Sequence, residues 1–172
     1  MYLEVAVRPV RPTDAQLLCR MWPRLSPDTV YRRFHAPLRR PPAGALPHLV
    51  QVDHDRRDAV VAVVGGEVVG VARYDRSPAD PVTAEVAVVV EDAWQGVGVG
   101  RQLLRELTAL ARDRGVTTLT ADVQPDNARV LGLVRRLLPG STSTPPADGV
   151  VTVTAPLPGA ATHPLPALPV PA

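Results

Sequence analysis

The chain has 172 residues, of which 45% are hydrophobic and 21% charged, and its formal net charge is +2. These values are typical of one globular domain with a packed core, and no apolar run is long enough to cross a membrane. Cys19 is the single cysteine, so an intrachain disulfide is excluded. We expect Cys19 to lie in the protein core, on the apolar face of a helix. Since the N-terminus has no signal-peptide pattern, we expect a cytoplasmic protein.

Four local signals mark where helices and strands begin and end. Thr13 opens a Thr-x-x-Gln capping box, and Ser26 precedes a proline at a first helical position. Gly65-Gly66 between two β-rich runs predicts a hairpin, and Gly115 predicts the end of a long helix. Together with the hydrophobic patterns, these signals predict strands over residues 3–10, 59–64, 67–74, 82–90, 116–123 and 150–154, and helices over residues 13–22, 27–36, 46–52, 99–114 and 127–138.

The order of these elements predicts an α/β domain over residues 1–154. The fourth and fifth strands flank a crossover helix, so they are expected to be parallel, whereas strands joined by hairpins are antiparallel. The expected result is a mixed, mostly antiparallel sheet with helices on both faces. Residues 155–172 are rich in proline and alanine and predict a disordered or polyproline tail.

A glycine-rich loop follows the fourth predicted strand. Residues 95–101 read Gln-Gly-Val-Gly-Val-Gly-Arg and lead into the long helix. Bare backbone N–H groups and the positive end of a helix dipole form an anion site, which suits a phosphorylated cofactor. A Walker A loop is excluded because the chain has no lysine, and no register of the glycines gives the dinucleotide-binding fingerprint. The alternative is a glycine turn that only lets strand and helix pack closely.

The pattern Gln/Arg-x-x-Gly-x-Gly/Ala, present as Gln95, Gly98 and Gly100, resembles the acetyl-CoA loop of the GNAT superfamily of N-acetyltransferases. This resemblance implies a twisted sheet whose parallel fourth and fifth strands splay apart, with acetyl-CoA as co-substrate and no metal. It also implies that the fourth strand's backbone holds the pantetheine arm and stabilises the oxyanion, while the loop binds the pyrophosphate. The cofactor-binding residues so implied are Val88, Val89, Val90, Gln95, Gly96, Val97, Gly98, Val99, Gly100, Arg101 and Asn127.

Glu85 is the candidate catalytic base. It is the only charged residue in the predicted strand 82–90, so we expect a poorly solvated carboxylate that accepts a proton from an ammonium. A structural ion pair with Arg73 is the alternative.

A closer resemblance, to the bacterial protein-lysine acetyltransferase branch, rests on residues 25–34, 52–54, 70–74 and 84–88. In that branch a glutamate of the fourth strand is the base, which matches Glu85. The branch implies a protein lysine as acceptor, and a small amine stays open as the other possibility. We therefore expect direct transfer of the acetyl group in a ternary complex.

Departures from the family pattern lie in the C-terminal part. Val134 occupies the position where many members have a tyrosine as general acid, and Tyr31 and Tyr74, the conceivable substitutes, are expected in the core. Residues 137–139 read Leu-Leu-Pro instead of Leu-Gly-Phe, and residues 141–149 are polar where a sixth strand is expected. These departures leave open a second function, a catalytically idle acyl-CoA-binding or interaction domain.

The other polar clusters are expected to be structural. The arginine-rich stretch 32–40, which includes Arg33, predicts a solvated helix end, with contact to a CoA phosphate or an acidic substrate as the alternative. Asn127 is expected to cap the last helix as well as touch the cofactor. Residues 53–55, Asp-His-Asp, predict a solvated loop rather than a metal site. We expect no nucleic-acid or membrane partner and a monomer or homodimer.

Overall fold

The computed structural model describes residues 4–42, 44–157 and 159, and its main elements follow the predicted order. The N-terminal part holds β1 Ala6–Pro9, α1 Ala15–Met21, α2 Pro27–Phe34 and α3 Ala45–Val50. The central strands are β2 Arg57–Val64, β3 Glu67–Arg76 and β4 Thr83–Val90. The C-terminal part holds α4 Val99–Asp113, β5 Thr118–Val123, α5 Ala128–Leu137, β6 Thr142–Ser143 and β7 Val151–Pro156.

All seven strands form one sheet in the order β1-β2-β3-β4-β5-β7-β6. Neighbouring strands are antiparallel except β4 and β5, which are parallel because α4 carries the chain from one to the other. The hairpin between β2 and β3 turns at Gly65 and Gly66, whose φ angles of 56° and 82° lie in the left-handed region that glycine adopts without strain. The predicted α/β class and the parallel pair are thus confirmed.

Hydrophobic clusters lie on both faces of the sheet. On one face, α4 packs against the central strands through Leu103 and Leu107, both 0% exposed. The helices α1, α2 and α3 cover the other face, where Leu18 and Val30 are each 3% exposed. α4 is the longest described helix at 15 residues, and none of the described helices meets the length and hydropathy that a bilayer crossing requires. A third, separate cluster joins α5 to the C-terminal strands through Val123, Val134, Val151 and Val153.

The start of α1 differs from the prediction, because the capping box of Thr13 does not form. Asp14 takes its place: Oδ2 accepts from the Arg11 N–H at 2.7 Å, and its two oxygens accept from the Arg8 guanidinium at 2.7 and 2.8 Å. The side-chain hydrogen bond from Arg8 lowers the pKa of Asp14, although burial opposes the shift. A carboxylate with a bidentate charged partner holds this turn more firmly than a threonine hydroxyl would.

Cys19 is exposed, so the prediction that it lies in the core was wrong. α1 buries Leu18 and Met21, each 3% exposed, against the sheet. Since successive helical residues are rotated by about 100°, Cys19 falls outside the stripe that these two residues define.

The C-terminal strand continues to Pro156, two residues beyond its predicted end. Leu157 is then 6% exposed in the core, and its N–H donates to the Thr117 carbonyl at 2.8 Å. Within residues 141–149, the short strand β6 pairs with β7 although no strand is predicted there. Most of the predicted tail, residues 158 and 160–172, lies outside the described residues and stays a prediction.

Gly70 sets the spacing between the sheet and α4, and its replacement tests this packing. A Cβ at Gly70 would lie 2.9 Å from Leu103 Cδ1 and 3.2 Å from the Val89 carbonyl oxygen. We expect Gly70→Ala to lower the free energy of unfolding by about 1–3 kcal/mol through overpacking, as measured by urea denaturation. Gly132→Ala is the matched control: its Cβ would meet only Arg136 Nη1 at 3.5 Å, and removing a helical glycine should stabilise by about 0.5–1 kcal/mol. Equal effects of the two substitutions would contradict the packing argument.

Candidate active site

The strands β4 and β5 pair only near their N-terminal ends. The last pair of their parallel register is Glu85 with Thr120. Residues 86–90 continue to pair with β3 but have no β5 partner in the described register. A gap therefore opens between the C-terminal halves of β4 and β5, at the place where the sequence resemblance implied a splay.

Along β4, the backbone N–H and C=O groups of successive residues point alternately toward β3 and toward β5. The Glu91 N–H donates to a β3 carbonyl at 2.8 Å, so odd-numbered residues face β3. The Val82 carbonyl accepts a hydrogen bond of 2.8 Å from the segment that leads into β5, so even-numbered residues face β5. By this alternation, the N–H groups of Val88 and Val90 point into the gap, whereas Val89 turns its N–H toward β3.

Between β4 and α4 the chain forms a short 3-10 helix, Asp92–Trp94, and then the glycine loop, residues 95–98. Gly96 and Gly98 have φ angles of 79° and 98°, and a Cβ at either position would meet nothing within 4 Å. Backbone conformation, not crowding, therefore favours glycine here. Gly98 precedes the first turn of α4, whose N–H groups have no intrahelical acceptor. Val97, at the tip of the loop, is 67% exposed, and Arg101 is exposed on the first turn.

Three predicted cofactor-binding positions face the protein interior. Val99 is 1% exposed and packs in the α4 core, so only its backbone can face a ligand. Gly100 faces Val90 and Leu133, whose methyl groups would lie 3.7 and 3.8 Å from an added Cβ. Gln95 uses its Nε2 to donate to the Val90 carbonyl at 3.0 Å.

Hydrogen bonds join α2, the loop and α5 in what we call the Asp92 network. Ser26 caps α2 as predicted, accepting from the Thr29 N–H at 3.2 Å, and its hydroxyl donates to Asp92 at 2.6 Å. Gln95 donates to the Thr29 hydroxyl at 3.0 Å and accepts from Arg129 on α5 at 3.1 Å. Although burial opposes it, the hydrogen bonds from Ser26 and Thr29 lower the pKa of Asp92. Sequence reasoning found only the Ser26 cap, because the other partners are distant along the chain.

Glu85 lies at the base of the gap, on the face that α1, α2 and α3 cover. It shares this face with Ala87 and Val89, since strand side chains alternate. Glu85 is exposed, so the expectation of a poorly solvated carboxylate was wrong. Arg73 pairs with Asp75 at 2.7 Å rather than with Glu85, so the alternative ion pair does not form. Among the described residues, no cation forms a salt bridge with Glu85.

The tyrosines that were considered as general acids occupy different environments. Tyr74 is 0% exposed in the core, where its hydroxyl donates to the Asp55 carbonyl at 3.4 Å and burial raises its pKa to about 12. Tyr31 is 47% exposed on α2, contrary to the core position predicted for it. Val134, at the position usual for the acid, is 8% exposed within the α5 cluster.

Two polar residues lie where β5 leads into α5. Asn127 caps α5, with Oδ1 accepting from the Val130 N–H at 3.3 Å. Gln124 is 7% exposed; its Nε2 donates to the Tyr31 carbonyl at 3.3 Å and lies 2.9 Å from His35 Nδ1, while its Oε1 has no partner among the described residues. Sequence reasoning missed Gln124, although a polar residue directly after a hydrophobic strand was a usable signal.

The arrangement fits acetyl-CoA. A phosphorylated ligand suits the exposed loop and helix N-terminus, and an extended amide-bearing arm suits the unpaired edge of β4. Among the described residues, no three His, Cys, Asp or Glu side chains are grouped so that they could hold a metal ion. A mixed sheet whose parallel pair parts beside such a loop is the architecture of the acyl-CoA-dependent N-acetyltransferases.

Comparison with known proteins agrees with this class. The sequence profile of the Acetyltransferase (GNAT) family matches residues 16–138. Acetyltransferase Pat of Mycolicibacterium smegmatis is 34% identical over 133 residues, which are 76% of this chain and 40% of that protein. This chain therefore belongs to the GNAT acetyltransferase family, and it spans less than half the length of that relative.

Solved structures agree as well. The GNAT domain of S. lividans PAT matches with a TM-score of 0.80 and 34% identity, over 89% of this chain and 90% of that domain. The protein yncA from Salmonella typhimurium, solved with its cofactor acetyl-CoA, matches with a TM-score of 0.73 over 91% of this chain and 96% of that one. At 22% identity, the second likeness supports the fold alone.

The Asp92 network makes a pH-dependent contribution to stability that Asp92→Asn should remove. Because the pKa of Asp92 is lowered by folding, this contribution is complete above the ordinary value of 3.8 and is lost as the pH falls through the folded-state pKa. We expect Asp92→Asn to lower the free energy of unfolding at about pH 7 and the difference from wild type to shrink below about pH 4, as measured by urea unfolding across that range.

Asp113→Asn is the control for this experiment. Asp113 is exposed at the end of α4, outside the Asp92 network, so its replacement should change the free energy of unfolding little. A difference between wild type and Asp92→Asn that grows as the pH falls would contradict the prediction.

Proposed function

We propose that this protein transfers the acetyl group of acetyl-CoA directly to the primary amine of an acceptor, a protein lysine or a small amine, while both are bound. The observation that carries the proposal is the gap between β4 and β5. By the alternation of β4, the N–H groups of Val88 and Val90 face this gap, and Glu85 sits at the last paired position beside it. Hydrogen-bond donors and a carboxylate therefore lie along one short stretch of strand.

Acetyl-CoA supplies a thioester whose carbonyl carbon is open to attack by an amine. In the proposed reaction, Glu85 accepts a proton from the acceptor's ammonium, directly or through one water. An N–H group of Val88 or Val90 donates to the carbonyl oxygen as negative charge develops there, and one such donor contributes about 3 kcal/mol. Since Val134 provides no acid, the departing thiolate takes its proton from water.

The glycine loop positions the co-substrate. The N–H groups of Gly96, Gly98 and the first turn of α4 bind the pyrophosphate, and Arg101 adds a positive charge on that turn. The Asp92 network contributes indirectly, because it fixes the loop to α2 and α5. Its residues are positioning residues in this proposal.

Glu85→Gln tests the proposed base. The substitution keeps the size of the side chain but removes its ability to accept a proton, so we expect kcat to fall by about 100-fold or more while the affinity for acetyl-CoA stays unchanged. The assay follows release of free thiol with a panel of amines and lysine peptides. Because this chain contains no lysine, any acetyl-lysine formed belongs to the acceptor.

Glu106→Gln, an exposed residue of α4, serves as the control and should retain full turnover. Equal kcat in the wild type and in Glu85→Gln would remove Glu85 from the mechanism. Acetyl-CoA binding without turnover on any acceptor would instead favour an acyl-CoA-binding domain without activity.

Gly98→Ala tests the proposed pyrophosphate site. An alanine at a φ of 98° is strained and places a methyl group beside the loop N–H groups. We expect the affinity for acetyl-CoA to fall by at least about tenfold, or roughly 1.4 kcal/mol, in calorimetric titration. Gly132→Ala should bind as the wild type does, and unchanged affinity in Gly98→Ala would exclude the loop as the binding site.

A further inference from the structure

A second concave site lies beside Glu85, between the sheet and the helices α1, α2 and α3. This pocket, which we call the Arg33 pocket, has an apolar wall that includes Trp22 and Phe34, and its floor is formed by Ala87 and Val89 of β4. Its cavity volume is about 30 Å³, which suits a small polar group.

Among the described residues, two guanidinium groups, Arg33 and Arg73, are the charged groups that line the pocket, so its lining is positive. Arg73 is neutralised by Asp75 through hydrogen bonds of 2.9 and 3.0 Å. Arg33 is half-buried and has no hydrogen-bond partner among the described residues; its guanidinium carbon lies 4.7 Å from the centroid of the Phe34 ring. Arg33 lies in the last turn of α2, as predicted, but it is half-buried and not fully solvated.

The electrostatics of Arg33 reflect this position. Burial lowers its pKa to about 10, and the nearby Arg73 acts in the same direction, while Glu85 and Asp75 oppose the shift. A half-buried cation without a hydrogen-bonded anion is unfavourable, because apolar atoms and another cation replace part of its hydration shell. An anion in the pocket would relieve this cost through the planar fork of the guanidinium.

The pocket is placed next to the proposed reaction centre. Side chains two positions apart on a strand lie on the same face at a spacing of about 7 Å. Glu85 precedes Ala87 and Val89 on the β4 face that forms the pocket floor, and its negative charge acts on the Arg33 guanidinium. An amine beside Glu85 and an anionic group on Arg33 therefore fall within one small molecule or one dipeptide.

We infer that the Arg33 pocket binds a carboxylate carried by the amine acceptor, so that the acceptor is an amino acid or a lysine flanked by an acidic residue. This inference rests on the proposed acetyl transfer and names its substrate class. Arg33 is then a specificity-determining residue, and it does not take part in proton transfer.

Direct binding tests the pocket without any turnover. Trp22 lines the pocket, so its fluorescence reports occupancy. We expect N-acetyl-L-leucine to change the fluorescence at concentrations about 10- to 100-fold lower than N-acetyl-L-leucinamide does. Arg33→Met should abolish this preference, and Arg33→Lys should restore part of it, because an ammonium keeps the charge but not the fork. The control is Arg32→Met, since Arg32 pairs with Asp28 and Asp126 instead of lining the pocket.

Kinetics with matched acceptors tests the substrate class. One set compares L-leucine, L-leucinamide and 3-methylbutylamine, and a second compares peptides with Lys-Glu and Lys-Gln. In the set that resembles the natural acceptor, we expect kcat/KM to be higher for the acceptor with a carboxylate than for its matched analogues without one, by about tenfold or more. The difference should lie mainly in KM. Arg33→Met should remove that preference while leaving the KM for acetyl-CoA unchanged.

The outcomes separate the two proposals. Turnover of amines with no carboxylate preference in either set, or a preference that survives Arg33→Met, would overturn the inference and leave acetyl transfer standing. Carboxylate-selective fluorescence without turnover of any acceptor would show an anion site but overturn its role in an acceptor site, along with the proposed function. Loss of carboxylate binding in Arg32→Met as well as Arg33→Met would also overturn the assignment to Arg33.

Discussion

The parting of β4 from β5 after the pair Glu85–Thr120 is the constraint on which the rest of the site depends. A strand that loses its partner leaves N–H groups unpaired, which a protein core tolerates poorly. The hydrophobic clusters explain why the gap does not close. β5 packs against two helices: Leu119, at its paired end, lies in the α4 cluster with Leu103 and Leu107, whereas Val123, at its open end, lies with Val134 of α5. Closing the gap would move Val123 away from α5.

The Asp92 network has a matching role at the open end of the gap. Gln95 alone contacts the end of β4, the helix α2 and the helix α5, through Val90, Thr29 and Arg129. Its amide needs both its donor and its acceptor atoms for these contacts, so its orientation is fixed. Gln95, the glutamine of the loop pattern, therefore has a structural role: it holds the loop against β4, α2 and α5. The resemblance implied only that it binds the cofactor.

The sequence predicted most of what depends on local chemistry. The turn at Gly65-Gly66, the cap at Ser26 and the glycine loop with its helix were all confirmed, because each depends on neighbours within a few residues. The Thr13 capping box is a local prediction that failed, because Asp14 with Arg8 holds that turn instead. The failures at the site concern solvent exposure. Strand alternation assigns Glu85 to a face but does not say whether a helix covers that face at its position. The burial of Arg33 likewise depends on α3 and the prolines of the preceding loop folding over α2, which no local pattern contains.

Within the part of the chain that the structure describes, charge pairing beside the gap leaves two side chains without close partners. Of the charges gathered around β3 and β4 there, Arg73 and Asp75 neutralise one another. Glu85 and Arg33 are left without close partners among the described residues, one beside the gap and the other beside the pocket, and they are of opposite sign. Two nearby charges of opposite sign, each without a close partner, are complementary to the proposed acceptor, which carries an amine and a carboxylate.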